Sequence, residues 1–282
     1  MTPVIDHVPL QPFGVELHLD LREELTPEQA EELRRLYAEH DLLLLRAQHL
    51  TMEQQVRALE HLGPILHVDN GIIARDSPIG LGGAELCFHS DYCYSPEPLH
   101  GISLHAIDVV DGETSTRFAS GRRGYEQADP GLRERLAGRR ALQVFGARLD
   151  ARNRLADLDP RLPNTAHPIV QPHPAGGSFL FAPQMTTDSV LGLPDPESEA
   201  LVAEVFAALY DDANVHEHLW CIGDLVIWNN VTVVHARADH SRVERRVLQR
   251  VTLGTKGYLD LYPWLADFDW DAAGALVTNA PE

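Results

Sequence analysis

The chain has 282 residues, 44% of them hydrophobic, enough to bury a sizeable core in one large domain or two small ones. Its formal net charge of −19 is spread along the chain, which argues against nucleic acid or an anionic membrane as partner, and no apolar run approaches the roughly 18 residues of a membrane span. The opening stretch MTPVIDHVPLQPFGVELHLD has neither the basic nor the apolar region of a secretory signal, and Cys87, Cys93 and Cys221 lack any C-x-x-C spacing, so a cytoplasmic protein with reduced thiols is expected.

In chain order, LTPEQAEELRRLYAEH reads as a helix. Thr26 is its N-cap, Pro27 suits the first turn, Gln29 completes a capping box, and Ala30, Leu33, Leu36 and Tyr37 form an apolar stripe. DLLLLRA follows as a short buried strand. A second capping box, Thr51 with Gln54, opens LTMEQQVRALEHLG, with Gly63 as the expected C-cap. Two further helices begin at the pairs Asp129-Pro130 and Asp195-Pro196. LHGISLHAIDVV, SFLFAP, DLVIW, VTVVHA and RVLQRVTLG are rich in β-branched residues and separated by Gly, Pro and Asn turns, as strands are. GDLVIWNNVTVVHARADH reads as a hairpin turning at Asn229-Asn230. Because helices and strands do not alternate regularly, a doubly wound parallel sheet is disfavoured. The pattern predicts an α+β fold, a β-sandwich or distorted jelly roll with helices packed outside. No repeat or low-complexity linker divides the chain, so one domain over 1–282 is expected. The polar, proline-containing segment near 147–165 is a candidate lid.

FHSDYCYSPEPLH contains the pattern His89-Ser90-Asp91. Residues two apart on a strand share a face, so the imidazole and the carboxylate would stand side by side. H-x-D alone is weak, because a polar strand end gives the same pattern. His235 ends an apolar strand run of Val231 and Val233 on its own face, where a histidine is either a core residue or a third ligand. Two histidines and one carboxylate bound on one face of Fe(II) would leave three positions for a bidentate co-substrate and O2. Arg246 and Arg250 share one face of the last strand, 11 and 15 residues after His235, and are either exposed edge arginines or clamps for carboxylates.

The order His89-x-Asp91, His235, Arg246, Arg250 resembles the taurine dioxygenase and aryloxyacid dioxygenase (TauD/TfdA) family of Fe(II)- and 2-oxoglutarate-dependent oxygenases. The likeness runs from about Leu25 to Gly254 and includes HSDYCYSPEP, TRFASGRRGYEQAD, AHPIVQPHPAGGSFLFAPQMTT and GDLVIWNNVTVVHARADH. It implies a double-stranded β-helix core, with His89, Asp91 and His235 as iron ligands. It further implies that Arg246 and Thr116 hold the distal carboxylate of 2-oxoglutarate and that Arg250 faces an acidic group of the substrate. The family's Gly-Gly-Asp-Thr turn is here DGETSTRF, so Thr114 competes with Thr116; the following Arg-Phe-Ala favours Thr116. The usual Trp-Asp-Asn is here Trp228-Asn229-Asn230, a change expected to touch a structural hydrogen bond and not the metal, and Trp228 is expected in the core. HVDNGIIARDSPIGLGGAE departs from the family, leaving His67, Asn70 and Glu85 as candidate substrate contacts or plain loop residues.

The reaction implied is oxidation of a small, acidic or amino-acid-like metabolite by hydroxylation, desaturation or epoxidation, with release of succinate and CO2. Asp91 leaves no ligand position for chloride, which speaks against halogenation. The competing readings are a cupin-like metal-binding isomerase and a non-catalytic binding protein, neither of which would need Arg246 and Thr116. Homo-oligomerisation is left open.

Overall fold

The structure, a computed structural model, describes residues 4–66, 72–74 and 82–269. Two short strands missed by the sequence patterns come first, β1 (Asp6–Pro9) and β2 (Val15–His18), followed by α1 (Pro27–His40), β3 (Leu42–Leu45), α2 (Met52–Glu60), β4 (Ile65–Leu66) and β5 (Ile72–Ile73). The middle of the chain supplies β6 (Leu86–His89), β7 (Gly101–Val109), β8 (Ser115–Ser120), α3 (Gly121–Gln127), α4 (Pro130–Leu136), β9 (Arg140–Val144) and β10 (Asn164–Pro168). Then come β11 (Val170–Pro172), β12 (Ser178–Leu180), β13 (Thr187–Val190), α5 (Asp195–Leu209), β14 (Val215–Leu219), β15 (Leu225–Asn229), β16 (Val233–Arg237), β17 (Arg246–Leu253) and α6 (Tyr258–Leu261).

Both capping boxes form as expected, Thr26 with Gln29 and Thr51 with Gln54. Asp129 caps α4 by accepting from the Gly131 N–H at 2.8 Å. Gly63 does not cap α2: the helix ends at Glu60 with His61 in right-handed conformation, and Gly63 lies in the turn beyond. The cap fails because Leu62 N–H closes a short turn onto Leu59 O (2.8 Å), which leaves no left-handed position for a glycine to fill.

Two sheets carry the core. The larger runs β1-β2-β3-β15-β7-β17-β4, with β5 also on β17; the smaller runs β14-β8-β16-β6. Leu42 and Leu44 of β3 face the space between the sheets while Leu43 and Leu45 face α1 and α2, which is why that strand is leucine throughout. Between the sheets, Ile102, Leu104, Val226, Trp228 and Leu248 of the large sheet meet Phe118 and Val233 of the small one. Phe118 and Trp228 pack edge-to-face at 5.1 Å. The outer face of the small sheet, with Ala119, Val234 and Ala236, is covered by α4 and α5 through Leu132, Leu136, Val202 and Val205.

The expected hairpin at Asn229-Asn230 does not exist. β15 pairs with β3 and β7, whereas β16 pairs with β8 and β6, so the chain crosses from one sheet to the other here. Two consecutive strands of good β-propensity look the same in sequence whether they pair or part. The crossing is decided by Trp228 and Val233, which both point into the inter-sheet core from opposite layers.

Segment 147–165 is tied down on several sides. Buried Asn153 donates to the Arg148 (2.8 Å) and Met185 (3.0 Å) carbonyls, and Arg152 and Arg154 both pair with Glu199 of α5. Among the described residues no helix is long and apolar enough to cross a membrane.

Candidate metal centre

His89 ends β6 and His235 lies directly opposite it on β16, so both imidazoles project from the inner face of the small sheet, their ring centroids 4.1 Å apart. Phe88, on the other face of β6, stacks on Tyr210 at 4.5 Å and so fixes which way His89 points. Asp91 does reach His89, Nε2 to Oδ1 at 3.6 Å, but not by strand alternation. The strand has already ended, and Asp91 stands in the following turn, where Tyr92 takes a left-handed backbone (φ 59°). One ligand atom from each of His89, Asp91 and His235 fits within 4.8 Å of the others, the only such cluster among the described residues.

The turn is held by Asn230, which the sequence reading placed at a hairpin turn. The Asn230 side chain accepts from Asp91 N–H (3.0 Å) and donates to the Asp91 and Leu99 carbonyls (3.0 and 2.9 Å), while Ser90 Oγ donates to Asn230 O (2.7 Å). Asn229 satisfies the crossover instead, accepting from Val231 N–H and Thr232 N–H.

Hydrogen bonding prepares the donors. His89 Nδ1 lies 2.8 Å from Cys87 O, and since a carbonyl can only accept, that nitrogen carries the proton and Nε2 presents its lone pair to the cluster. Nδ1 of His235 is buried without a hydrogen-bond partner among the described residues. Burial pushes the pKa of His89 down and that of His235 well below the usual histidine value, so both rings are neutral. Burial acts the other way on Asp91, raising its pKa, but the Arg250 guanidinium, by its charge and its hydrogen bond, leads the interactions that outweigh it and hold the carboxyl below its ordinary range. Two neutral imidazoles and one ionised carboxylate grouped on one side are the donor set of a facial Fe(II) site. The residues present fit that ion.

Arg250 reaches this cluster from the opposite layer. On β17 it shares the inner face with Arg246 and Leu248, as the alternation predicts, while Val251 and Leu253 face α2. Its guanidinium donates to Asp91 Oδ2. In this structure Arg250 is thus the partner of the Asp91 carboxylate, a contact that the spacing to His235 could not show.

Arg246, the first residue of β17, is 6% exposed; its Nε has no hydrogen-bond partner among the described residues, and burial, then Arg237, lowers its pKa to about 9. Thr116 sits on the inner face of β8, where its hydroxyl oxygen accepts from Trp220 Nε1 at 3.0 Å. Thr114 precedes β8, its hydroxyl buried without a partner among the described residues. Two more residues at this end were missed. Arg237 lies opposite Thr116 in the β8–β16 register, and His240 is buried, its pKa lowered to about 4 by burial, then by Arg246 and Arg237. The signal for Arg237 was present, since it follows His235 by two on the same strand. Trp228 is in the core, as expected. Glu85 is exposed just before β6. His67 and Asn70 lie outside the described residues.

Comparison with known proteins gives the same picture. The family described as "Taurine catabolism dioxygenase TauD, TfdA family" matches residues 6–252. The chain is similar to the alpha-ketoglutarate-dependent 2,4-dichlorophenoxyacetate dioxygenase of Cupriavidus pinatubonensis, 29% identical, with 86% of this chain and 94% of that protein covered. It is also similar to pentalenolactone F synthase of Streptomyces arenae, 28% identical over 66% of this chain and 68% of that one. A taurine dioxygenase structure from Burkholderia xenovorans superposes with a TM-score of 0.75 at 25% identity, covering 90% and 92% of the two chains.

Proposed function

Because the chain belongs to the TauD/TfdA dioxygenase family, we propose that His89, Asp91 and His235 hold Fe(II) and that Arg246 and Thr116 receive the distal carboxylate of 2-oxoglutarate. The protein is an oxidoreductase, a 2-oxoglutarate-dependent non-haem iron dioxygenase that oxidises a small metabolite with O2. Its two-sheet sandwich with outer helices is in this reading a distorted jelly roll forming one domain.

When bound, the iron and 2-oxoglutarate supply oxygen activation, with release of succinate and CO2. The chain's own residues prepare for this. Cys87 O fixes the His89 tautomer, and Arg250 occupies one oxygen of Asp91, leaving the other for the metal. Three protein donors on one side leave the remaining positions to non-protein ligands. Arg246, buried without a carboxylate partner among the described residues, is a cation awaiting an anion. The apolar layers on both sides exclude water and orient one C–H bond. The carboxylate of Asp91 fills the place a halide would need, so the outcome is hydroxylation, desaturation or epoxidation.

The substrate is a small acid or an amino-acid-like compound. A guanidinium has five donors, so Arg250 can serve Asp91 and a substrate carboxylate together, and the Cupriavidus relative is named for an aryloxyacetate, itself an acid. The reading is of a cytoplasmic enzyme, and the charge of −19 supports its having neither nucleic acid nor an anionic membrane as partner.

The carrying observation is the triad, its ligand atoms within 4.8 Å. Titrating 2-oxoglutarate anaerobically into the Fe(II)-loaded protein tests it. A metal-to-ligand charge-transfer band in the visible is expected; no band, with iron bound, would return the protein to the metal-binding isomerase reading.

A further inference from the structure

A cavity of about 340 Å³, within the range of small-molecule sites, lies at the crossover between the two sheets. None of the triad residues lines it, nor does Arg246 or Arg250, so it is separate from the metal centre. Its walls are mostly apolar, with buried Phe179 and Leu253, half-buried Val231, and Pro64 and Pro172 at the rim. No aspartate or glutamate lines it. Gly63 leaves it roomy on one side, since a Cβ placed there would meet nothing within 4 Å.

The polar groups on these walls are unevenly committed. Tyr37 donates its hydroxyl to Trp228 O (3.1 Å), Thr232 donates to Asp41 (2.7 Å) and Gln171 Nε2 to Pro168 O (3.1 Å). Asn229 accepts through Oδ1 from Val231 and Thr232 N–H, but its Nδ2 hydrogens have no partner among the described residues. The His100 imidazole likewise makes no hydrogen bond there, and the acid whose field reaches it, Glu97, is held by Lys256 at 2.6 Å. Asn229 stands where the resembled family has aspartate, so this chain presents an amide donor in place of a carboxylate that would repel an anion. Both free donors adjoin the clamp on the metal turn. Asn229 precedes Asn230, and His100 follows Leu99, whose carbonyl Asn230 grips together with that of Asp91; the Asn230 N–H also donates to His100 O at 3.2 Å.

We propose that this cavity is a regulatory ligand site: it takes a small carboxylate with a compact aromatic body, and its occupancy tightens metal binding through Asn230. The aromatic body packs on Phe179, Leu253 and the rim prolines, and the carboxylate accepts from Asn229 Nδ2 and His100. A ligand bridging Asn229 and His100 joins the same two chain segments that Asn230 joins, and so steadies the turn that carries Asp91. The ligand site stands apart from the function proposed above, whereas its coupling rests on the metal centre proposed there.

The test titrates benzoate calorimetrically into the full chain loaded with Co(II), beside Asn229→Asp and Gly63→Phe. N229D keeps the oxygen that accepts from Val231 and Thr232 but replaces the donor by a negative charge, and G63F fills the cavity. Both variants are expected to bind benzoate at least ~10-fold more weakly than wild type. Benzamide, of the same shape without the charge, is expected to bind wild type more weakly than benzoate does. Benzoate is further expected to tighten Co(II) binding by wild type at least ~5-fold and to leave that of N229D unchanged. Wild-type benzoate affinity in N229D would overturn the proposal, because the ligand would then sit elsewhere, at Arg250 for example. Benzamide binding as tightly as benzoate, or Co(II) affinity indifferent to bound benzoate, would overturn it too. Should G63F fail to fold, N229D decides alone. Failure of wild type to bind Co(II) at all would instead overturn the metal centre on which the coupling rests, and the cavity would still be read by the loss of benzoate binding in metal-free N229D.

Discussion

Asn230 and Asp91, 139 residues apart in the chain, exchange a reciprocal pair of hydrogen bonds: the Asn230 amide accepts from the Asp91 N–H and donates to the Asp91 carbonyl, both at 3.0 Å. The turn that carries one metal-site residue is thereby fastened to the crossover that leads to another, His235.

Asn230→Ala should loosen that turn without touching a donor atom. Supporting groups of this kind are worth about 10–100-fold in metal affinity, so Co(II) or Fe(II) titration should show a loss in that range. The folded structure should persist, because both sheets keep their ladders. An unchanged metal affinity would mean that the turn holds its shape without the clamp.

Asp91→Ala removes the ionised donor and leaves Arg250 without its partner. Succinate formation from 2-oxoglutarate should fall to background; consumption at the native rate would remove Asp91 from the metal site.

His240 is neutral in the folded protein, its pKa lowered from 6.5 to about 4 by burial, then by Arg246 and Arg237. In the unfolded chain it takes up a proton below about pH 6.5. Its contribution is therefore complete above that pH and is lost as the pH falls toward 4, up to about 3 kcal/mol. Thermal unfolding of the metal-free protein should show the melting temperature dropping across that window. His240→Gln should flatten the drop, and His89 and His235, shifted in the same direction, should keep part of it.

Gly121 opens α3 against two carbonyls. A methyl group there would stand 2.4 Å from Leu180 O and 2.9 Å from Thr232 O, backbone atoms that cannot swing aside. Gly121→Ala should destabilise the protein by about 2 kcal/mol or more in urea unfolding.

The parts of this molecule legible in sequence were those with a local cause. Thr26, Thr51 and Asp129 announce their helices because a cap is satisfied within three residues. β17 was legible because Arg246, Leu248 and Arg250 alternate with Val251 and Leu253. β15 and β16 were recognisable as strands, yet their partners were not, since pairing depends on which layer Trp228 and Val233 enter. The triad residues could be named from their order, but the reason they meet could not. Asp91 is placed by a turn and by the Asn230 side chain, which grips backbone groups of Asp91 and Leu99 that carry no residue signature.

The pairing of Arg250 with Asp91 bears on the order in which the protein is made. A half-buried carboxylate at the proposed metal site would ordinarily oppose folding until the metal arrived, as it does where folding and metal uptake are a single event. Here the chain carries its own counter-ion on the facing sheet. Both layers can close first and iron can enter afterwards, so stripping the metal with a chelator should yield a folded, reloadable protein and not a denatured one.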